Sequence, residues 1–260
     1  MPNRSRGRVV APLILAMLAF GGGDADAHFQ EILPSTDIVP EEGSRTVTLD
    51  LVFTHPMEGG PTMDMGQPER FGVLANGKAA DLRTSLKPRT IDGKTAYGAA
   101  YAVREPGDYV FFLEPASYWE PVERKHILHY AKVVVGFGSG EGWDAMVGFP
   151  IEIQPLTRPY GLWTGNLFRG VVTKDGKPLP NAEVEIEWKN DGSVRAPADP
   201  FVTQIVKTDD AGIFAYAMPR AGWWAFNAVS EADTPKAAPD GKPAPLEIGG
   251  TIWVKAVDMK

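Results

Sequence analysis

Short runs rich in Val, Ile, Thr and aromatic residues recur along the chain between Gly, Pro and Asp turns, and no segment has a long helical period. Such runs are typical of β-strands, in which successive side chains point to opposite faces. We therefore predict an all-β protein with two antiparallel β-sandwich domains. The predicted strands of the first half are residues 45–54, 96–103, 108–113, 128–136 and 150–154. Those of the second half are residues 167–174, 182–189, 201–208, 213–218, 222–230 and 251–257.

The first residues have the pattern of an export signal. Three arginines within the first eight residues precede an apolar run at residues 9–20, and small residues follow at 25–27. This order is typical of a secretory signal peptide that is cleaved after Ala27. A membrane-spanning helix needs about 18 apolar residues, and Pro12 interrupts this shorter run. We predict a leader at residues 1–27, a periplasmic location and no direct insertion into the membrane.

The remaining chain is divided by a segment at residues 154–161, where two prolines and a glycine interrupt the strand pattern. We predict an N-terminal metal-binding β domain at residues 28–157. A C-terminal β-sandwich domain is predicted at residues 158–260.

Composition and motifs exclude several functions. A net charge of −7 disfavours nucleic acid and anionic lipid as partners. Because the chain has no cysteine, it can form neither thiolate metal sites nor disulfides. No G-x-S-x-G turn and no phosphate-binding glycine fingerprint is present. We therefore expect a binding protein and not an enzyme, with any metal held by His, Met or carboxylate side chains.

All four histidines, His28, His55, His126 and His129, fall in the predicted first domain. Cleavage after Ala27 would make His28 the first residue, with a free α-amine beside its imidazole. That amine and the ring Nδ1 can chelate one metal ion, and nitrogen ligands suit Ni(II), Cu(II), Co(II) and Zn(II). Signal peptidase also tolerates histidine after the cut, so the position alone does not establish a metal site.

His55 ends an alternating run in which Val47, Leu49, Leu51 and Phe53 share its face. It is therefore expected at the rim of a core-facing row, as a metal ligand or as a structural histidine bonded to the backbone. The loop that follows has three methionines, which can be thioether ligands or simply hydrophobic cover. These are Met57, Met63 and Met65.

His126 and His129 are three residues apart in one predicted strand, so their side chains point to opposite faces unless a bulge intervenes. Only His129 is in phase with Ala131, Val133 and Val135. His129 is therefore the better candidate ligand.

Four segments of the chain, residues 28–35, 54–60, 129–132 and 148–156, resemble a family of periplasmic proteins that is catalogued as a domain of unknown function. Members of that family are associated with energy-coupling-factor nickel/cobalt uptake transporters and are often described as their periplasmic, NikK-type component. Residues 167–184 of the C-terminal domain are similar to transthyretin-like or carboxypeptidase-regulatory sandwiches.

The resemblance implies a metal site formed by His28, His55 and His129, with His126 as a fourth candidate. It also implies Ni(II) or Co(II) as cargo and membrane nickel/cobalt transporter subunits as partners. Where family members often have an aromatic residue after the His-Pro pair, this chain has Met57.

Two alternatives remain open from the sequence. The first is a copper-binding protein or copper oxidative enzyme with an N-terminal histidine, in which Met57, Met63 or Met65 supplies thioether ligands. The second is an exported β-sandwich that binds protein or carbohydrate through its tryptophans, with purely structural histidines.

Overall fold

The computed structural model describes residues 27–138 and 140–260. The predicted leader therefore lies outside the described residues except for Ala27. The described chain is all-β, as predicted from the sequence, with two three-residue 3-10 turns at Arg83–Ser85 and Asp199–Phe201. In this described part, no helix is long and apolar enough to cross a membrane.

A five-stranded antiparallel sheet is formed entirely by the first half of the chain. Alternation in its second strand buries Val47, Leu49 and Leu51 and exposes the residues between them, which confirms the predicted period of two. The strands are β1 (Phe29–Pro34), β2 (Thr46–Thr54), β3 (Thr62–Met63), β6 (Lys87–Ile91) and β7 (Lys94–Ala102). The strand order is β1-β2-β7-β6, and β3 also pairs with β2.

A ten-stranded sheet contains strands from both halves. From the first half come β4 (Arg70–Ala75), β5 (Lys78–Asp81), β8 (Gly107–Glu114), β9 (Tyr118–Glu120) and β10 (Lys125–Phe137). From the second half come β12 (Leu162–Trp163), β15 (Glu183–Trp188), β16 (Gln204–Lys207), β18 (Gly222–Glu231) and β21 (Leu246–Val257). The main order is β16-β15-β18-β21-β10-β8-β4-β5.

A four-stranded sheet and a short hairpin complete the fold. The sheet has the order β11-β13-β14, with β17 also paired to β13. Its strands are β11 (Ile151–Pro155), β13 (Leu167–Lys174), β14 (Lys177–Pro178) and β17 (Ile213–Ala217), and the hairpin pairs β19 (Lys236–Ala237) with β20 (Pro243–Ala244).

The ten-stranded sheet has a hydrophobic core on each face. Trp253 and Ala225 point into one core, which also contains Phe29 and Leu51 of the five-stranded sheet. Neighbouring residues of the same strands, such as Phe226, point into the other core with residues of the four-stranded sheet. Because successive residues of a strand face opposite sides, one sheet serves both cores. The predicted β-sandwich arrangement is thus confirmed.

The two halves meet through a parallel pairing of β10 with β21, from His126↔Leu246 to Val133↔Trp253. Parallel neighbours need a long crossover connection, and here the whole second half of the chain lies between the two strands. The prediction of two antiparallel β-sandwiches did not include this parallel junction. The predicted boundary at 157/158 and the transthyretin-like character of the second domain stay predictions.

Candidate functional site

His28 and His55 lie side by side because of the pairing between β1 and β2. Phe29 pairs with Thr54 in this antiparallel ladder, so the residue before β1 comes opposite the residue after β2. Directly opposite residues in such a ladder have neighbouring side chains. The ring centroids of His28 and His55 are 4.6 Å apart, and the two residues are only 6% and 4% exposed. Strand pairing thus creates a buried pair of imidazoles.

His129 reaches the same place from β10. Its Nδ1 lies 2.8 Å from the carbonyl oxygen of His28, and its Nε2 lies 3.0 Å from Oε1 of Glu247. A carbonyl oxygen can only accept, so Nδ1 has the proton and donates it. Burial raises the pKa of Glu247, but hydrogen bonds and positive charge from His129 and Lys125 outweigh it and bring the pKa to about 2. Both nitrogens of His129 are therefore engaged, and in this arrangement His129 orients His28.

Gly249 makes room for the His129 ring. Gly249 is the partner of His129 in the β10–β21 ladder. A Cβ atom at this position would lie 2.4 Å from Cδ2 of His129 and 2.6 Å from Oδ1 of Asn227. Any larger residue would displace the imidazole from the His28 carbonyl.

The His28 ring also contacts an acidic side chain and an aromatic wall. Its Nε2 is 3.5 Å from Oε2 of Glu120, whose side chain is 12% exposed. The rings of Phe53 and Tyr118 have centroids 5.6 and 6.2 Å from that of His28. A void of about 10 Å³ beside Phe53, Tyr118 and His129 shows that this region is closely packed.

His126 is not brought together with the other three histidines. It lies on the opposite face of β10 from His129, as the spacing in the sequence predicts. Its Nε2 is 2.9 Å from the carbonyl oxygen of Ala237, and its ring packs against Trp119 at 5.0 Å. The hypothesis of His126 as a fourth ligand has no support in this geometry and stays a prediction.

The three methionines of the loop after His55 are buried in two different cores. Met57 packs in the core beside the four-stranded sheet, whereas Met63 and Met65 pack in the core beside the five-stranded sheet. The Sδ atom of Met65 accepts a hydrogen bond from Nε2 of Gln30 at 3.7 Å. Their observed role is hydrophobic packing.

Several carboxylates near the site could not be identified from the sequence. Glu185 and Glu187 alternate with apolar residues in β15, a pattern that normally places acidic side chains in solvent. Instead, burial raises the pKa of Glu185 to about 7 and that of Glu187 to about 8, although hydrogen bonds from Asn227 and Thr203 act against the shifts. The sequence has no signal for this, because the residues that surround these carboxylates, such as Met57, Thr203 and Asn227, are distant in the sequence.

Within residues 27–138 and 140–260, no group of three or more His, Asp or Glu side chains is arranged to hold a metal ion. The histidine cluster therefore consists of the His28–His55 pair with His129 bonded to the backbone of His28.

Among solved structures, the chain is similar to a 1.5-MDa bacterial ice-binding adhesin, with 9% identity, a TM-score of 0.26, and coverage of 90% of this chain and 65% of the adhesin. Latent PorU from Porphyromonas gingivalis matches with 12% identity, a TM-score of 0.23, and coverage of 95% and 22%. The adhesin InvE of Yersinia pseudotuberculosis matches with 11% identity, a TM-score of 0.23, and coverage of 89% and 61%. This chain thus spans less than two thirds of each of these structures, and TM-scores this low carry no argument about function.

A search among curated proteins finds no match. A family model described as "Domain of unknown function (DUF4198)" matches residues 25–232, which is most of the chain. The protein therefore belongs to the DUF4198 family.

Proposed function

We propose that this protein binds a transition-metal ion, Ni(II) or Co(II), in the periplasm and delivers it to a membrane metal-uptake transporter. The ligands are the imidazoles of His28 and His55 together with the α-amine that cleavage after Ala27 would give His28. The protein acts as a carrier and not as an enzyme.

The observation that carries the proposal is the buried contact between the His28 and His55 rings, 4.6 Å apart. Ligand nitrogens lie about 2.0–2.1 Å from a zinc ion, and Ni(II) and Co(II) take the same imidazole ligands. Two nitrogens on one ion are therefore at most about 4 Å apart, a spacing compatible with rings whose centroids are 4.6 Å apart. The hydrogen bond from His129 to the His28 carbonyl supports the pair by restraining the chain terminus.

Nitrogen-rich ligation favours Ni(II), Co(II), Cu(II) or Zn(II) but does not choose among them. The choice of nickel or cobalt and the transporter as partner come from the family resemblance of residues 28–35, 54–60, 129–132 and 148–156. The periplasmic location comes from the leader predicted at residues 1–27. The buried positions of Met57, Met63 and Met65 supply no support for a copper site with thioether ligands.

Binding should weaken at acid pH, because protons compete with the metal ion for the imidazole nitrogens. Equal affinity for Ni(II) at pH 8 and pH 5 would contradict histidine ligation.

The deciding experiment is a calorimetric titration of Ni(II), Co(II), Cu(II) and Zn(II) into a protein that begins at His28. The comparison protein has one alanine added before His28, and His55→Ala and His126→Ala are matched variants. We expect tight Ni(II) or Co(II) binding that is lost in the extended protein and in His55→Ala but kept in His126→Ala.

Equal binding by the extended protein would refute the N-terminal chelate and move the site to internal histidines. Cu(II) binds nitrogen ligands more tightly than Ni(II) or Co(II) at almost any site. Failure to bind Ni(II) and Co(II), with Cu(II) or Zn(II) still bound, would therefore refute the proposed cargo. Absence of binding in every protein would refute the metal function and favour a β-sandwich module with structural histidines.

A further inference from the structure

The segment that carries His55 is tied to the second half of the chain through Glu187. This side chain is buried, with 1% exposure, at the end of β15. Its Oε2 accepts a hydrogen bond from the backbone N–H of Met57 at 2.9 Å, and its Oε1 accepts one from the hydroxyl of Thr203 at 2.6 Å. Both carboxylate oxygens of Glu187 thus accept hydrogen bonds, and one of the donors, Met57, lies two positions after His55.

Asn190 also bonds to the two residues that follow His55. Its Nδ2 donates to the carbonyl oxygen of Met57 at 2.9 Å, and its backbone N–H donates to the carbonyl oxygen of Pro56 at 3.1 Å. The Asn190 side chain is itself held, because Oδ1 accepts from Gly192 and Val194. The Met57 residue is therefore bonded at both its N–H and its C=O by side chains of the second half.

Lys189, which lies between Glu187 and Asn190, contacts the strand that follows His28. The Nζ atom of Lys189 lies 2.5 Å from Oε1 of Glu31, a carboxylate of β1 that is 2% exposed. Burial raises the pKa of Glu31, and the ion pair with Lys189 acts against this shift.

We propose that Glu187, Lys189 and Asn190, which we call the β15 clamp, are positioning residues that hold the His55 loop and the His28 strand at the distance required for joint metal binding. This inference rests on the proposed metal function and assigns a role in it to the second half of the chain. A loop end such as His55 is mobile unless it is restrained, and a metal site requires its ligands in a narrow geometry. The clamp supplies that restraint through four contacts between the halves.

The test compares variants that change one residue of the clamp at a time. Glu187→Leu has similar size but cannot accept from Met57, whereas Glu187→Gln keeps an acceptor and a polar partner for Thr203. Asn190→Asp loses the Nδ2 donor to the carbonyl oxygens of Met57 and Val194 and keeps the acceptor for the N–H groups of Gly192 and Val194. The matched control is Asn166→Ala, which removes a hydrogen bond to the backbone of Trp163 in another part of the second half.

We expect Glu187→Leu and Asn190→Asp to weaken Ni(II) binding by about 10–100-fold, the usual effect of removing a group that orients a metal ligand. Glu187→Gln should rescue the affinity to within about threefold of the wild type, and Asn166→Ala should leave it unchanged. Wild-type affinity in both Glu187→Leu and Asn190→Asp would overturn the proposal. If Glu187→Leu does not fold, as judged by circular dichroism, Asn190→Asp decides alone.

A metal-free measurement separates this proposal from the proposed function. Nuclear Overhauser contacts between the His28 and His55 rings should be present in the wild type and lost or weakened in Asn190→Asp. If the wild type binds no metal, the proposed function fails, and unchanged ring contacts in Asn190→Asp then also refute the clamp. If the wild type binds metal and the variant keeps both its ring contacts and its affinity, only the clamp is refuted.

Discussion

The Nδ1 atom of His129 donates a hydrogen bond to the carbonyl oxygen of His28, a residue 101 positions earlier in the chain. This bond joins the start of β1 to the middle of β10 and leaves the His28 ring beside that of His55. His129 therefore acts on the backbone of the candidate site, and its second nitrogen is occupied by Glu247.

Replacing His129 by phenylalanine removes both hydrogen bonds while keeping a ring of similar shape. We expect Ni(II) affinity to fall by about 10–100-fold, as for other residues that orient ligands. The absorption bands of bound Co(II) should keep their positions if His129 only orients His28. A shift of these bands to those of a site with one nitrogen fewer would instead identify His129 as a ligand.

Glu187 should make the protein less stable as the pH rises. Burial raises its pKa from 4.5 to about 8, so below pH 4.5 the carboxyl is neutral in both folded and unfolded chains. Between these values the unfolded chain loses the proton and the folded one keeps it, which lowers the free energy of unfolding by about 1.4 kcal/mol per pH unit. The free energy of unfolding of the wild type should therefore fall relative to that of Glu187→Gln between pH 5 and pH 8, by a difference that approaches about 4 kcal/mol.

Urea unfolding of wild type and Glu187→Gln at pH 5, 6.5 and 8 measures this difference. Parallel pH profiles of the two proteins would show that Glu187 is already ionised at low pH in the folded state.

Glu247 should make the protein less stable as the pH falls, which is opposite to the effect of Glu187 and occurs at lower pH. Its folded pKa of about 2 is below the ordinary 4.5, because His129 and Lys125 outweigh the effect of burial. Its contribution to stability is thus present above pH 4.5 and is lost as the pH falls toward 2. We expect Glu247→Gln to be less stable than the wild type by an order of 2 kcal/mol at pH 6, with the gap closing by pH 2. Thermal unfolding across this range tests it, and a gap independent of pH would count against the ion pair.

Lys132 and Glu152 form a buried ion pair whose loss should be costly. Nζ of Lys132 lies 2.6 Å from Oε1 of Glu152, and both residues are 1% exposed. Lys132→Met leaves the Glu152 carboxylate buried, supported only by the N–H groups of the 147–149 turn. Such a change costs about 3–5 kcal/mol, and the added substitution Glu152→Gln should recover part of it. Urea unfolding of the single and double variants gives both values, and a loss below about 1 kcal/mol for Lys132→Met would contradict the expectation.

The sequence alone determined much of the local structure. Alternation in residues 46–54 is sufficient to predict β2, the buried row of Val47, Leu49 and Leu51, and His55 at its end. The three-residue spacing of His126 and His129 likewise predicts their separation on two faces of β10. These properties depend only on the geometry of a single strand, which side-chain order specifies.

Only the tertiary structure decided which strands meet and what surrounds the histidines. The β10–β21 pairing brings Gly249 and Glu247 to His129, and the end of β15 brings Glu187 and Asn190 to Met57. No local pattern marks these residues, because hydrogen bonding along a ladder does not depend on which side chains are paired. The partners of each histidine therefore depend on how two cores pack against one shared sheet. This packing joins residues that are a hundred or more positions apart in the sequence.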